Sequence, residues 1–191
     1  MRFSAVLLAG GKSSRFGSDK AVVKIDGVEL WRRQISLLRA LGSHEIFVAA
    51  GQPPIWINDQ LHFVRDAMSN AGPLSGVASA LRECATSHLL VLAIDLPQMT
   101  AAFLQSLVDL SSDSCGAVPK RNGFFEPLAA IYPQSCRPLA DRQMLAGKLM
   151  MQDFVSAALE ESLIIVRDVR PDEEPLFTNM NAPDDLLSIP R

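Results

Sequence analysis

A chain of 191 residues, 48% of them apolar and 20% charged, carries enough hydrophobic material for a globular core and too little charge bias for disorder. Its formal net charge of -3 argues against a dedicated nucleic-acid binder, which needs a basic surface to neutralise phosphates. The length suits one domain, 1–191, on the prior of about 100–200 residues per domain.

Phe3 to Leu8 is an apolar run broken only by Ser4 and followed by Gly10-Gly11, the pattern of a strand buried on both faces of a parallel sheet. Leu30 to Leu41 sets Leu30, Trp31, Ile35, Leu38 and Leu41 at helical spacing and stops at Gly42, a suitable residue just past a helix end. A strand is expected over Glu45 to Ala50, a short one over Leu61 to Val64, a helix over Leu74 to Cys84 and a strand over His88 to Ile94, giving the order β-α-β-β-α-β. The alternation continues with a helix over Ala101 to Leu110 and strands near Gly116 to Val118 and Pro127 to Tyr132. Helices follow across Gln134 to Leu145 and Leu149 to Leu159, then a late strand over Leu163 to Val166. Arg170 to Pro175 reads as a polar, proline-bounded loop. Such alternation predicts an α/β sheet with helices on both faces and a ligand site outside the carboxyl ends of the strands.

Leu89 to Ile94, the longest purely apolar run, falls far short of the roughly 18 residues of a membrane span. Gly10, Gly11, Lys12 and Arg15 interrupt the apolar stretch after Arg2 before the core of a signal peptide forms. Cys84, Cys115 and Cys136 are odd in number and widely spaced, giving neither a disulfide framework nor a CxxC metal pattern, so a reducing cytoplasm is expected. His44, His62 and His88 lack the spacing of metal ligands or of a catalytic triad. Trp31 belongs to the apolar stripe of its helix, and packing is the expected role of Trp56 as well.

The segment from Leu8 to Lys20 holds the densest chemistry. Gly10, Gly11 and Gly17 let backbone N–H groups approach an anion, and Lys12, Arg15 and Lys20 supply charge-assisted hydrogen bonds to phosphate oxygens. A solvated surface loop is the bland alternative; position directly after a buried strand favours a polyphosphate cradle. It is not a Walker A loop, because Val6 stands where the first glycine belongs, and Lys12 occupies the place of the second glycine of a dinucleotide fingerprint. Asp95 ends the most apolar strand, at the sheet edge where a Mg²⁺ ligand would sit. Mg²⁺ commonly takes one or two protein carboxylates and completes its shell with water and substrate phosphates. The competing role for Asp95, capping the helix that begins near Thr100, is one Thr100 can fill itself. Asn179 and Asn181, two apart, present both amides on one side of an extended segment, unless they only form a turn. The glycines of Gly72-Pro73-Leu74-Ser75-Gly76 permit close backbone approach to a ligand at a helix N-terminus; the spacing is not that of a nucleophile elbow.

The string LAGGKSSRFGSDKA, residues 8–21, resembles the LAGGxSxRMGxDKA signature of the MobA-like nucleotidyltransferases, especially the molybdenum cofactor guanylyltransferases, with Phe16 in place of the usual Met. Similarity continues through Asp66, Gly72 to Gly76, Leu92 to Pro97, Glu126 to Tyr132 and Phe177 to Leu186, nearly the whole chain. The resemblance implies a three-layer αβα Rossmann-like nucleotidyltransferase fold of the GT-A kind with a mostly parallel sheet. It implies nucleotide contacts from Leu8, Ala9, Gly10, Gly11, Lys20, Asp66 and Asp95, with Arg15 facing the phosphates and Asp95 holding Mg²⁺. Arg15, Lys20 and Asp95 would be the catalytic residues, and Gly76, Asn179 and Asn181 would serve the acceptor. The implied reaction transfers GMP from GTP to Mo-molybdopterin, releasing pyrophosphate, with passing contact to molybdoenzymes or their chaperones and none with nucleic acid or membrane. Family guanylyltransferases often carry an Asn near the end of the second strand, where this chain reads Phe47-Val48-Ala49-Ala50-Gly51. The alternatives are a cytidylyltransferase acting on the same pterin, a sugar-phosphate nucleotidyltransferase, and a catalytically idle nucleotide-binding adaptor. Gly10-Gly11, where the cytidylyl and sugar relatives tend to have Ala-Gly, favours guanine, and the joint presence of Arg15, Lys20 and Asp95 speaks against the adaptor.

Overall fold

The computed structural model describes residues 1–10, 19–68 and 71–180. Strand β1 (Phe3–Leu8) is followed by a 3₁₀ turn at Lys20–Val22 and a small hairpin of β2 (Lys24–Ile25) and β3 (Val28–Glu29) that runs directly into helix α1 (Leu30–Ala40). Strands β4 (Ile46–Ala50) and β5 (His62–Arg65), helix α2 (Pro73–Glu83), strand β6 (His88–Ala93) and helix α3 (Ala101–Leu110) complete the N-terminal part. Then come β7 (Gly116–Arg121), β8 (Phe124–Phe125), β9 (Ala129–Pro133), α4 (Arg137–Leu145), α5 (Met151–Glu160) and β10 (Ile164–Asp168).

The main sheet runs β10-β7-β9-β6-β1-β4-β5, with β8 paired to β7. Its central pairs β6–β1, β1–β4 and β4–β5 are parallel, as is β10–β7, whereas β9 runs antiparallel to both of its neighbours, β6 and β7. Side-chain alternation fills both faces. From β1, Ala5 and Leu7 join Ile35 and Leu38 of α1 and Leu104 and Leu107 of α3 in one core; Val6 and Leu8 join Leu74 and Leu81 of α2, Leu139 of α4 and Phe154 of α5 in the other. Burial on both faces is what makes β1 and β6 read as nearly unbroken apolar runs, with Ser4 and His88 as their polar residues. This is the three-layer α/β architecture that the alternation predicts.

Three local expectations are corrected. The β2–β3 hairpin adds to the β-α-β-β-α-β order; Asp26 and Gly27 both take positive φ, 51° and 78°, in the two-residue turn that a right-twisted hairpin prefers. The helix expected from Gln134 begins as a separate 3₁₀ turn, Gln134–Cys136, because Pro138 sits in the first turn of α4. The polar segment read as a loop is a 3₁₀ segment, Pro171–Phe177. It is tied down by Glu173, which accepts from both terminal nitrogens of Arg167 at 2.8 and 2.7 Å. The described cysteines carry no disulfide, and among the described residues no helix is long and apolar enough to cross a membrane.

Candidate active site

The sheet reverses its order of strand addition at β1, between β4 and β6, and such a switch point opens a crevice beyond the carboxyl ends of the strands. Backbone hydrogen bonds extend the ladder past the strands: Ala9 N–H to the Ala49 carbonyl at 2.9 Å, Ile94 N–H to Leu8 at 3.1 Å, and Asp66 N–H to Ala50 at 3.1 Å. The exits of β1, β4, β5 and β6 are thereby held at one level around a cleft of about 840 Å³.

On the β5 side, the Asp66 carboxylate lies between two glycines. A Cβ added at Gly10 would stand 3.3 Å from its Oδ2, and one added at Gly76 would stand 3.2 Å from its Oδ1. Partial burial raises the Asp66 pKa above the usual carboxylate value. A side chain at either glycine would displace this carboxylate from the cleft floor. A smaller hollow of about 480 Å³, lined by Gly51, Gln52, Pro53, Arg65 and Asp66, adjoins it on the outer side.

On the β6 side, Lys20 and Asp95 meet. The 3₁₀ turn carrying Lys20 buries Ala21 and is capped by Asp19, whose Oδ1 accepts from Ala21 N–H at 3.0 Å. Lys20 Nζ then lies 3.5 Å from Asp95 Oδ2, both side chains partly open to the cleft. Asp95 does not cap α3, since Thr100 Oγ1 accepts from Phe103 N–H at 3.2 Å. Its backbone is fixed from two directions: Met180 N–H donates to the Asp95 carbonyl at 2.9 Å, and the buried Gln34 amide donates to the Leu96 carbonyl at 2.7 Å. Gln34 is a positioning residue that the sequence reading passed over; its signal is an amide set in the apolar stripe of α1 between Trp31 and Ile35.

A second hollow, about 360 Å³, shares Pro73, Ala93, Asp95 and Leu128 with the main cleft and reaches on to Glu126, Met151, Gln152 and Asn179. Glu126 is held by Arg121 Nε at 2.8 Å, and the Gln152 amide pairs with both backbone groups of Phe125, at 3.2 and 2.8 Å. Neither Glu126 nor Gln152 is a site residue in the sequence reading; their contribution depends on β9 starting at this edge, beside Asp95.

The structure therefore brings Leu8, Ala9, Gly10, Lys20, Asp66, Gly76 and Asp95 to one cleft. Asn179 lines the second hollow, and Gly76 lies on the Asp66 side, away from that hollow. Gly11, Arg15 and Asn181 lie outside the described residues. Asp95 offers a hard carboxylate oxygen to the cleft, a donor type that fits a hard divalent cation completing its shell with water and phosphate oxygens.

Residues 5–163 match the family model described as the MobA-like NTP transferase domain. A protein of Opitutus terrae named "Probable molybdenum cofactor guanylyltransferase" is 34% identical over 185 residues, covering 95% of this chain and 92% of its own. A protein of the same name from Thermococcus sibiricus is 34% identical over 190 residues, covering 96% and 95%. Among solved structures, molybdopterin-guanine dinucleotide biosynthesis protein A of Archaeoglobus fulgidus superposes with a TM-score of 0.75 at 23% identity, covering 97% of this chain and 95% of that one, which is a likeness of fold.

Proposed function

The chain belongs to the MobA-like NTP transferase family, and on that premise we propose that it is a molybdenum cofactor guanylyltransferase, transferring GMP from GTP to the terminal phosphate of Mo-molybdopterin. The observation that carries the reading is the meeting of Lys20 and Asp95 at 3.5 Å in the cleft that also holds Gly10 and Asp66. An ammonium and a hard carboxylate at one strand edge are the two charges that a polyphosphate donor with its cation requires.

In the transfer, an acceptor phosphate oxygen bonds to the α-phosphorus of GTP and the bond from that phosphorus to the β-phosphate oxygen breaks, releasing pyrophosphate. No covalent enzyme intermediate enters, so positioning and electrostatics supply the acceleration. Asp95 would hold Mg²⁺, which when bound neutralises phosphate charge. Lys20 stabilises the charge that builds on the leaving pyrophosphate, with Arg15 as its partner by family resemblance. Gly10 and Gly76 leave room for the Asp66 carboxylate to accept from the nucleoside. The second hollow, with Glu126, Gln152 and Asn179, receives the acceptor at Asp95 from the side opposite Asp66.

Guanine is favoured by the names of the relatives and by Gly10-Gly11; the absence of an Asn in Ala49-Ala50-Gly51 supports cytidine as the second reading. Calorimetric titration with GTP, CTP, ATP and UTP, with and without Mg²⁺, decides between them. Saturable, metal-enhanced binding of GTP alone supports the guanylyl reading, preference for CTP moves it to the cytidylyl branch, and binding of none overturns both. Asp95→Ala is expected to keep the fold and lose the metal enhancement together with nearly all pyrophosphate release; unchanged turnover refutes the metal assignment.

A further inference from the structure

Residues 51–60, between β4 and β5, are nearly all exposed, and Trp56 alone among them is buried. Its indole stacks on that of Trp31 in α1, centroids 5.0 Å apart and planes 13° from parallel. That stack aims the indole N–H at Asp19, where Nε1 donates to Oδ2 at 3.2 Å. The other carboxylate oxygen, Oδ1, accepts from Ala21 N–H, so the two oxygens of Asp19 divide between the tryptophan and the turn that carries Lys20. Asp19 is an exposed residue, and without the indole its carboxylate keeps only the Ala21 N–H of these two donors.

We infer that Trp56 is a positioning residue for Lys20: through Asp19 it fixes the 3₁₀ turn that presents the ammonium to Asp95. Stacking is suited to this task because two large rings in contact order each other at little side-chain entropy, and an aromatic pair contributes about 0.5–1.5 kcal/mol beyond its buried area. Gly51 and Gln52, at the start of the same connection, line the cleft, so the segment touches the site at one end and steers its lysine from the middle. The importance of Lys20 to a nucleotide rests on the proposed function; its placement by Trp56 does not.

The test uses the whole chain without nucleotide. Lysines are acylated at low occupancy by an N-hydroxysuccinimide ester, and the rate at each is read by mass spectrometry. Trp56→Phe keeps an aromatic ring on Trp31 and removes the N–H together with the second ring of the indole. It is expected to raise the rate at Lys20 about three- to tenfold, the fold-change that matches the net worth of one ordinary hydrogen bond, with Lys24, Lys120 and Lys148 unchanged. Asp19→Ala, which alters an exposed side chain, carries the same expectation independently, and the double variant should equal Asp19→Ala alone. An unchanged Lys20 rate in both variants, or additive effects in the double, overturns the inference. A second readout is calorimetric affinity for GTP with Mg²⁺: Trp56→Phe should weaken it in the wild-type background and leave it unaltered in Lys20→Ala, whereas a purely structural tryptophan would weaken both. Failure of the wild type to bind any nucleotide would count against the proposed function while the acylation rates still decide the role of Trp56.

Discussion

Replacing Gly76 by alanine adds one carbon at the most crowded point of the cleft floor. The new Cβ would lie 3.0 Å from Leu8 Cδ2, 3.1 Å from Ala49 Cβ and 3.2 Å from Asp66 Oδ1. Ala49 is part of β4 and cannot retreat without the strand, and Leu8 ends β1 with its side chain buried in the core shared with α2, so the carboxylate is the neighbour expected to move. Overpacking of this kind costs about 1–3 kcal/mol, while alanine in a helix interior recovers about 1 kcal/mol over glycine. The net loss of stability is therefore expected between about 0 and 2 kcal/mol, compatible with a folded protein. Function should suffer more: a hydrogen bond from the ligand to a displaced charged group forfeits about 1.5–3 kcal/mol, roughly ten- to a hundredfold in nucleotide affinity. Urea unfolding measures the first quantity and calorimetric titration with GTP the second. Affinity within twofold of wild type in a folded Gly76→Ala protein refutes Asp66 as a nucleotide contact.

Two further expectations concern pH. Burial raises the Asp66 pKa, so between its unfolded and folded values the native state holds more protons than the unfolded one, and its contribution to stability falls as pH rises through that window. Asp66→Asn should thus be as stable as wild type in acid and more stable at neutral pH, while binding nucleotide less well; equal stability at both pH values would contradict the burial assigned to it. Glu173 behaves oppositely: its hydrogen bonds from Arg167 hold its pKa below the usual carboxylate value, so its contribution is present above the unfolded pKa and is lost as pH falls through the folded one. Glu173→Gln leaves the largely buried Arg167 charge unpaired and is expected to cost about 3 kcal/mol near neutral pH, with the difference shrinking in acid. A flat difference across thermal melts from neutral to acid pH would refute the ion-pair account.

The strands and helices with long periodic signals are where the sequence reads most directly: β1 and α3 have the expected bounds, and β4, β6 and α1 differ by a residue or so at their ends. The short hairpins escape because two-residue strands carry no period, although Asp26-Gly27 and Asn122-Gly123 are the dipeptides such turns favour. The reversal of β9 is illegible for a different reason: an apolar run buried on both faces does not encode its direction, which is set by what it pairs with. In the cleft, Lys20 and Asp95 come together as strand-edge reasoning requires. Trp56 and Gln34 act across tertiary distances, through an indole N–H and an amide whose targets are invisible until the chain is folded.

Because β9 is reversed, its entry, and not its exit, faces the cleft, and Ala93 N–H takes the Leu128 carbonyl there at 2.7 Å. The two walls that flank Asp95 are consequently built from separate stretches of chain. Residues before 100 supply the floor around Asp66 and Lys20, and residues after 120 supply most of the hollow beyond. Substitutions in the Glu126 to Leu128 approach or at the Leu149 to Gln152 start of α5 can remodel one wall without touching a strand that carries the other. Such a division lets one ligand surface diverge while its neighbour is held constant, and it marks the C-terminal half as the place to graft when the partner on that side is to be exchanged.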